Sequence, residues 1–328
     1  MLVSLIAPAN NEEGNVAPFY AAACEAFSNT PGIDGFEVVF IDDGSTDSTL
    51  SAMKAISPVE GGSIKVLSFS RNFGKEAALY AGLEHASGDI CVFIDTDMQQ
   101  QPSVARDMVL RLLDDPEIDC VAAYQPKRKN GSLRNFLSKR FYKLLGSSSG
   151  MDVLANASDF RAFRRNVADA LLSMREYYRF SKGLFAWIGF RTEPYPYTPE
   201  DRLTGETSWS MRKLFSYAFN GLIAFSTAPL KAATIIGSLF SAISIIYFIV
   251  VFIQRLAFGV DVPGYATIVC LILLLGGIQL LLLGVTGEYL ARTYIQGKDR
   301  PIYILRDYEE HAFDQPGQGS VRPQSDGS

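Results

Sequence analysis

Ile90–Gln101 reads ICVFIDTDMQQQ, and the reading of the whole chain turns on it. An apolar run of β type ends in two carboxylates, Asp95 and Asp97, one residue apart. Alternation along an extended chain turns both to the same side of the backbone. Two hard oxygen ligands at the exit of a buried strand suit Mg2+ or Mn2+. A divalent ion held there can carry the diphosphate of a nucleotide-sugar and stabilise it as a leaving group. The same spacing also fits a solvated turn, so the surroundings have to decide.

Upstream, short apolar runs alternate with helical stretches. Leu2–Ala7, Glu37–Ile41, Ile64–Ser68, Ile90–Ile94 and Cys120–Tyr124 are predicted strands; Asn15–Phe27, Ser48–Ile56, Lys75–His85 and Ser103–Leu113 are predicted helices. This alternation implies an α/β domain with a mostly parallel sheet covered on both faces. Ligands of such sheets bind beyond the carboxyl ends of the strands. Asn10–Glu13, Asp42–Asp47 and Asp95–Gln99 all fall at predicted strand ends and should converge on one cleft.

The bulk numbers exclude several classes. Net charge is −5, which does not fit a nucleic-acid binder. Four scattered cysteines contain no C-x-x-C pair, so neither zinc nor a disulfide framework is expected. With two histidines, His85 and His311, chemistry built on a His base is not expected. The start, MLVSLIAPANNEE, reads as a strand and turn and lacks the features of a signal peptide.

Residues 126–145, PKRKNGSLRNFLSKRFYKLL, interleave basic and apolar residues without an acid. They read as a membrane-surface element or an anion-binding loop. Residues 211–230 read as an amphipathic interface helix. Residues 232–253 and 262–287 are uncharged and apolar, each long enough to cross a bilayer as a helix. Basic residues on their outer flanks predict both termini in the cytoplasm and the connector outside. Gly276, Gly277, Gly284 and Gly287 admit close helix packing, hence a possible homo-oligomer. The expected plan is a cytosolic domain over 1–210, the interface helix, a two-span hairpin over 231–292, a cytosolic return segment over 293–310, and a disordered tail over 311–328.

Several motifs together resemble a known family. They are PANNEEGN, IDDGSTDST, SRNFGKEAALYAGLEHASGD leading into FIDTDMQQQP, SDFRAFRR, RLTGETSWS and GEYLARTY. The chain resembles family 2 glycosyltransferases of the GT-A fold, and within them the polyprenyl-phosphate glycosyltransferases, a group that includes dolichyl-phosphate mannose synthase and the bacterial bactoprenol glucosyltransferases. The resemblance runs from Val3 to about Asp307. It implies an inverting transfer of one sugar, with a UDP-hexose in the donor role, to polyprenyl phosphate, in the inner or plasma membrane.

The resemblance also implies roles. Asp95 and Asp97, with Gln99, would hold Mg2+ or Mn2+ and the diphosphate. Pro8, Glu12, Asp42 and Asp43 would surround base and ribose, with Lys75 lining the same pocket. Asp159 would face the sugar and the acceptor. Arg128, Arg134 and Ser138 fall in the acceptor loop, and Arg202 near the transferred group. Two departures stand out: Asn10 replaces the usual Tyr, and Gln101 replaces an Asp before Pro102. A processive polysaccharide synthase would carry Gln-x-x-Arg-Trp, and neither Trp187 nor Trp209 follows that pattern.

Overall fold

The computed structural model of the protein describes residues 1–126, 157–200, 228–258 and 264–313. Arg128, Arg134, Ser138 and Arg202 lie outside the described residues, as do nearly all of the basic segment and the interface helix. Two compact units divide the chain. The first holds an eight-stranded sheet and six helices; the second holds two long helices.

The first unit begins with strict alternation: β1 Leu2–Ala9, α1 Val16–Phe27, β2 Gly35–Asp42, α2 Thr49–Lys54, β3 Gly62–Phe69, α3 Lys75–His85, β4 Ile90–Phe93, α4 Pro102–Asp114 and β5 Cys120–Tyr124. These are the predicted elements, with ends shifted by a few residues. The strands are buried almost throughout, as expected when helices cover both faces. On α1, Val16, Phe19, Tyr20, Ala23, Ala26 and Phe27 form one buried stripe at helical spacing. Pro102 opens α4, where its missing N–H is not needed. Helix α3 is buried from Ala77 to Leu83 and lies close on the sheet. A Cβ at Gly82 would stand 2.4 Å from Ile6 and 2.7 Å from Ile41, so only glycine allows that approach.

The chain then adds β6 Ala157–Arg164, α5 Arg165–Ser173, α6 Ser181–Ile188 and β7 Thr192–Pro196. The sheet order is β7-β5-β6-β4-β1-β2-β3-β8. Strands β1 to β4 are mutually parallel, with β4 and β2 on opposite sides of β1. That reversal of direction opens a crevice at the ends of β1 and β4. Strand β6 runs antiparallel to β4 and β5, so it starts at the edge where β4 ends. Phe93, Phe163 and Phe185 pack edge to face behind this junction, at 5.0–6.0 Å between centroids.

The last strand corrects the sequence reading. The return segment expected over 293–310 carries an unforeseen strand: β8 Leu305–Ala312 pairs antiparallel with β3 and reaches two residues into the tail expected from His311, the rest of which beyond Phe313 lies outside the described residues. Its charged residues hid it: an edge strand tolerates them, and they discourage pairing with other chains. Lys54 bonds Asp307 and Glu309 of β8. Just before it, Tyr303 stacks on Phe69 at 5.1 Å and donates to Glu84 at 2.6 Å.

Toward the strand starts lies a buried ion pair. Lys65 Nζ is 2.9 Å from Glu37 and also donates to Ser87 Oγ and the His85 carbonyl. Glu37 accepts from Ser4 Oγ and the Ser87 N–H, both at 2.5 Å. Ser4 Oγ in turn accepts from the Gly88 N–H.

In the second unit, α7 Ala228–Phe258 and α8 Tyr265–Gln296 each contain a window apolar enough to cross a membrane, Leu230–Tyr247 and Leu274–Gln296. Their apolar side chains face outward: Ile235 is 69% and Leu280 72% exposed. Such surfaces suit lipid and not water. Arg292 and Glu288 pair at i, i+4, at 3.2 Å.

Candidate active site

The parallel strands deliver their ends to one side. Ala9 is in register with Asp42, and Asp42 with Ser68. Phe93 is opposite Arg161, so two further steps along β4 and back along β6 set Asp95 against Asp159. The polar clusters read from the sequence therefore meet, and β6 adds a carboxylate from another part of the chain.

The first two loops are stitched together. Asn10 Nδ2 donates to the Asp43 carbonyl at 2.9 Å. Asn11, at φ 59°, accepts the Thr46 N–H at 2.8 Å. The Glu12 N–H donates to Thr49 Oγ1 at 2.8 Å, and Glu12 Oε2 accepts from Asn15. Asp42 and Asp43 are buried, and the chain itself engages both carboxylates. Asp42 accepts from Ser45 N–H and Ser68 Oγ, each at 3.0 Å. Asp43 accepts from the N–H groups of Phe73 and Gly74. Burial pushes the Asp43 carboxyl up, and those two donors offset part of the push. Gly44 holds φ 65°, with the Asn72 backbone where a Cβ would stand. These acids thus set the cleft wall by fixing the loops between β2 and α3.

At β4 the geometry is tighter. Thr96 Oγ1 donates to the Pro8 carbonyl at 3.2 Å, tying the loop after β4 to the end of β1. Gln100 clamps Asp95 twice: its Oε1 accepts the Asp95 N–H and its Nε2 donates to Asp95 Oδ2, both at 2.9 Å. Asp97 Oδ1 accepts the Gln99 N–H at 3.1 Å. Met98 between them sits at φ 61°, a left-handed conformation that costs a side-chain-bearing residue about 1–2 kcal/mol. Strain of this kind gathers where a loop is shaped for a ligand.

Lys75, at the start of α3, reaches across to these acids. Its Nζ is 2.5 Å from Asp95 Oδ1 and 3.9 Å from Asp159 Oδ2. Burial opposes its charge, but the two carboxylates outweigh that and hold the ammonium above its ordinary value. Burial likewise pushes Asp159 up, yet Lys182, Lys75 and Arg161 together hold it below the usual carboxylate value. Asp159 Oδ1 is buried and accepts no hydrogen bond among the described residues. A buried oxygen left unpaired costs about 1–3 kcal/mol and marks a place prepared for another partner.

Among the described residues, no three His, Cys, Asp or Glu side chains form a ready metal cage. Mg2+ ions typically keep several waters and are held by one or two carboxylates plus substrate phosphates. Asp95, with Asp97 two residues on and the orphaned oxygen of Asp159 on the far side of Lys75, offers hard donors that fit a cation arriving with a diphosphate. The expected site residues Pro8, Glu12, Asp42, Asp43, Lys75, Asp95, Asp97, Gln99 and Asp159 lie at or beyond this edge of the sheet or on α3 and β6, which border it. Sequence reading missed Gln100, one of three consecutive glutamines, and Lys182, which belongs to none of the motifs.

The family model described as Glycosyl transferase family 2 matches residues 4–172, and one described as GtrB C-terminal hairpin matches residues 228–293. A bactoprenol glucosyl transferase of Shigella phage SfV is 37% identical over 311 residues, 94% of this chain and 100% of its own. A prophage bactoprenol glucosyl transferase homolog of Escherichia coli is 38% identical over 307 residues, 93% of this chain and 99% of its own. Among solved structures, glucosyl-3-phosphoglycerate synthase from Mycobacterium tuberculosis, in complex with Mn2+, uridine-diphosphate and glucosyl-3-phosphoglycerate, matches with a TM-score of 0.48 and 22% identity, over 68% of this chain and 77% of that one.

Proposed function

The chain belongs to glycosyl transferase family 2, and on that premise we propose that it transfers one hexose from a UDP-sugar to a polyprenyl phosphate such as undecaprenyl phosphate. The observation that carries this reading is the meeting of Asp95 and Asp159 at Lys75, with Asp97 two residues beyond Asp95, in a chain similar along nearly its whole length to proteins named bactoprenol glucosyl transferases. The helices α7 and α8 support a membrane hairpin. Basic residues outside both spans favour cytoplasmic termini, with the active site on the cytoplasmic face of the membrane.

The chemistry follows from charge. A phosphate acceptor is already anionic near neutral pH and needs no strong base, which suits a site without histidine. Its oxygen forms the new bond to the anomeric carbon while the bond to the diphosphate breaks. The nucleoside diphosphate leaves with that electron pair, and the anomeric centre inverts. A bound Mg2+ or Mn2+ supplies positive charge to the leaving diphosphate. Asp95 and Asp97, the latter in the strained turn at Met98, would hold that ion. Gln100 fixes the orientation of Asp95. Lys75 neutralises Asp95 and Asp159, so two acids can stand near two phosphates. Asp159 orients the sugar against the acceptor. Pro8, Glu12, Asp42 and Asp43 shape the nucleoside pocket. Holding both reactants in line contributes through proximity.

The test is transfer of radiolabelled sugar from a panel of UDP- and GDP-sugars to undecaprenyl phosphate in detergent, with Mn2+ or with EDTA. One donor should give a chloroform-soluble, acid-labile product that EDTA abolishes. Metal-dependent nucleotide-sugar binding without lipid product from any donor would reject the polyprenyl-phosphate acceptor and point to a glycan or glycolipid.

A further inference from the structure

Asp159 lies under the influence of cations from three parts of the chain. Lys75 opens α3, Arg161 follows on β6, and Lys182 is in the first turn of α6. One carboxylate ties α6 to α3. Glu76 accepts the Ser181 N–H at 3.0 and 3.1 Å and the Ser181 hydroxyl at 2.5 Å. Ser181 is buried at this contact. The residues next to the tie, Lys75 and Lys182, therefore serve the same carboxylate although 107 positions separate them (182 − 75).

The three cations are not equally committed. Lys75 is engaged with Asp95 at 2.5 Å. Arg161 is buried, lies over the Phe185 ring at 4.5 Å and donates to the Ser158 carbonyl. Lys182 makes no ion pair within 4 Å and no hydrogen bond among the described residues, yet its charge helps to hold the Asp159 carboxyl below its usual value. The residue is partly buried. A lysine on this side of the site, with no bond among the described residues, is available to an anion.

We propose that Lys182 is a substrate-binding residue that takes the phosphate of the lipid acceptor and holds it beside Asp159. The assignment rests on the acceptor reading given above. Both substrates bring phosphate. Lys75 bridges to Asp95 on the β4 side, where the donor diphosphate is placed, whereas Lys182 comes to Asp159 from α6. Lys182 transfers no proton. Its charge offsets the phosphate oxygens that do not react while the fourth oxygen bonds the anomeric carbon. Glu76 acts through Ser181 as a positioning residue.

The experiment compares the full-length protein with Lys182→Met and Lys182→Arg in detergent. Initial rates are measured against undecaprenyl phosphate at saturating donor, and against donor at saturating acceptor. UDP binding is titrated separately with Mn2+ present. Lys182→Met should raise KM for the lipid phosphate about tenfold or more, the size of a lost charge-assisted bond. KM for the donor and affinity for UDP should stay within about twofold, because that binding is not touched. Lys182→Arg should restore most of the acceptor affinity, and UDP binding certifies that each variant is folded. A raised donor KM or weakened UDP binding with unchanged acceptor KM would assign Lys182 to the leaving diphosphate and overturn the proposal. Wild-type kinetics in Lys182→Met would overturn it as well. Wild-type protein that binds UDP but glycosylates no lipid phosphate would remove the acceptor reading, and this assignment with it, before any variant is compared.

Discussion

Two acid–lysine clusters occupy the same sheet, and they are built on opposite terms. Toward the strand starts, Glu37 and Lys65 are buried, and Ser4, Ser87 and the His85 carbonyl supply the hydrogen bonds that complete the pair. Beyond the strand ends, Lys75 serves two carboxylates, Asp95 and Asp159, and one oxygen of Asp159 has no partner among the described residues. The first cluster is finished by the chain alone. The second is left open among the described residues. Identical residue types thus give a structural pair in one place and a candidate site in the other; what separates them is whether the surrounding donors satisfy every charged oxygen.

Breaking the finished cluster should have the largest effect on stability. Lys65→Met leaves a buried, unpaired Glu37 and should cost about 3–5 kcal/mol, read as a lower melting temperature, with near-normal turnover per folded molecule. Adding Glu37→Gln should recover most of that loss, since removing both charges removes the mismatch. A single variant as stable as the wild type would show that the pair is not the anchor described.

The unfinished cluster should answer in the opposite way. Asp97→Ala should lower transfer by about 100- to 1,000-fold, as when one charge-stabilising group is lost, with the melting temperature hardly moved. A variant that melts early would make Asp97 a structural residue. Gln100→Leu sharpens the contrast within the site. It removes both bonds that orient Asp95 and should cost about tenfold in kcat/KM while leaving the carboxylates in place. Unchanged kinetics would make the clamp incidental. Smallest is Lys54→Ala, which removes the exposed ion pairs to β8 and should leave the melting temperature within experimental scatter. A clear drop would mean that these contacts, and not the backbone ladder to β3, hold the last strand.

How much of this was legible depended on distance along the chain. Strands β1 to β5 announce themselves as continuous apolar runs, and Asp95 and Asp97 stand directly at the end of one. Burial on both faces writes itself into consecutive residues. The tie from Glu76 to Ser181 spans 105 positions and leaves no local pattern. Lys182 is for the same reason an ordinary lysine until α6 is folded against α3. Gln100 could not be told from Gln99 and Gln101, because the distinction is the direction each side chain takes in a turn strained at Met98. The strand β8 was hidden by its acids: alternation was present, but the hydrophobic signal that normally reveals it was weak.

That last strand has a consequence for how the molecule is made. The exposed edge of β3 is complete once Phe69 has left the ribosome, but its partner begins at Leu305, 236 residues later (305 − 69). At translation rates of about 5–20 residues per second, the edge waits roughly 10–50 s. During that interval both membrane helices are synthesised. The sheet is therefore completed only after the hairpin has been made, and a chain whose synthesis stalls before Leu305 keeps the β3 edge unpaired.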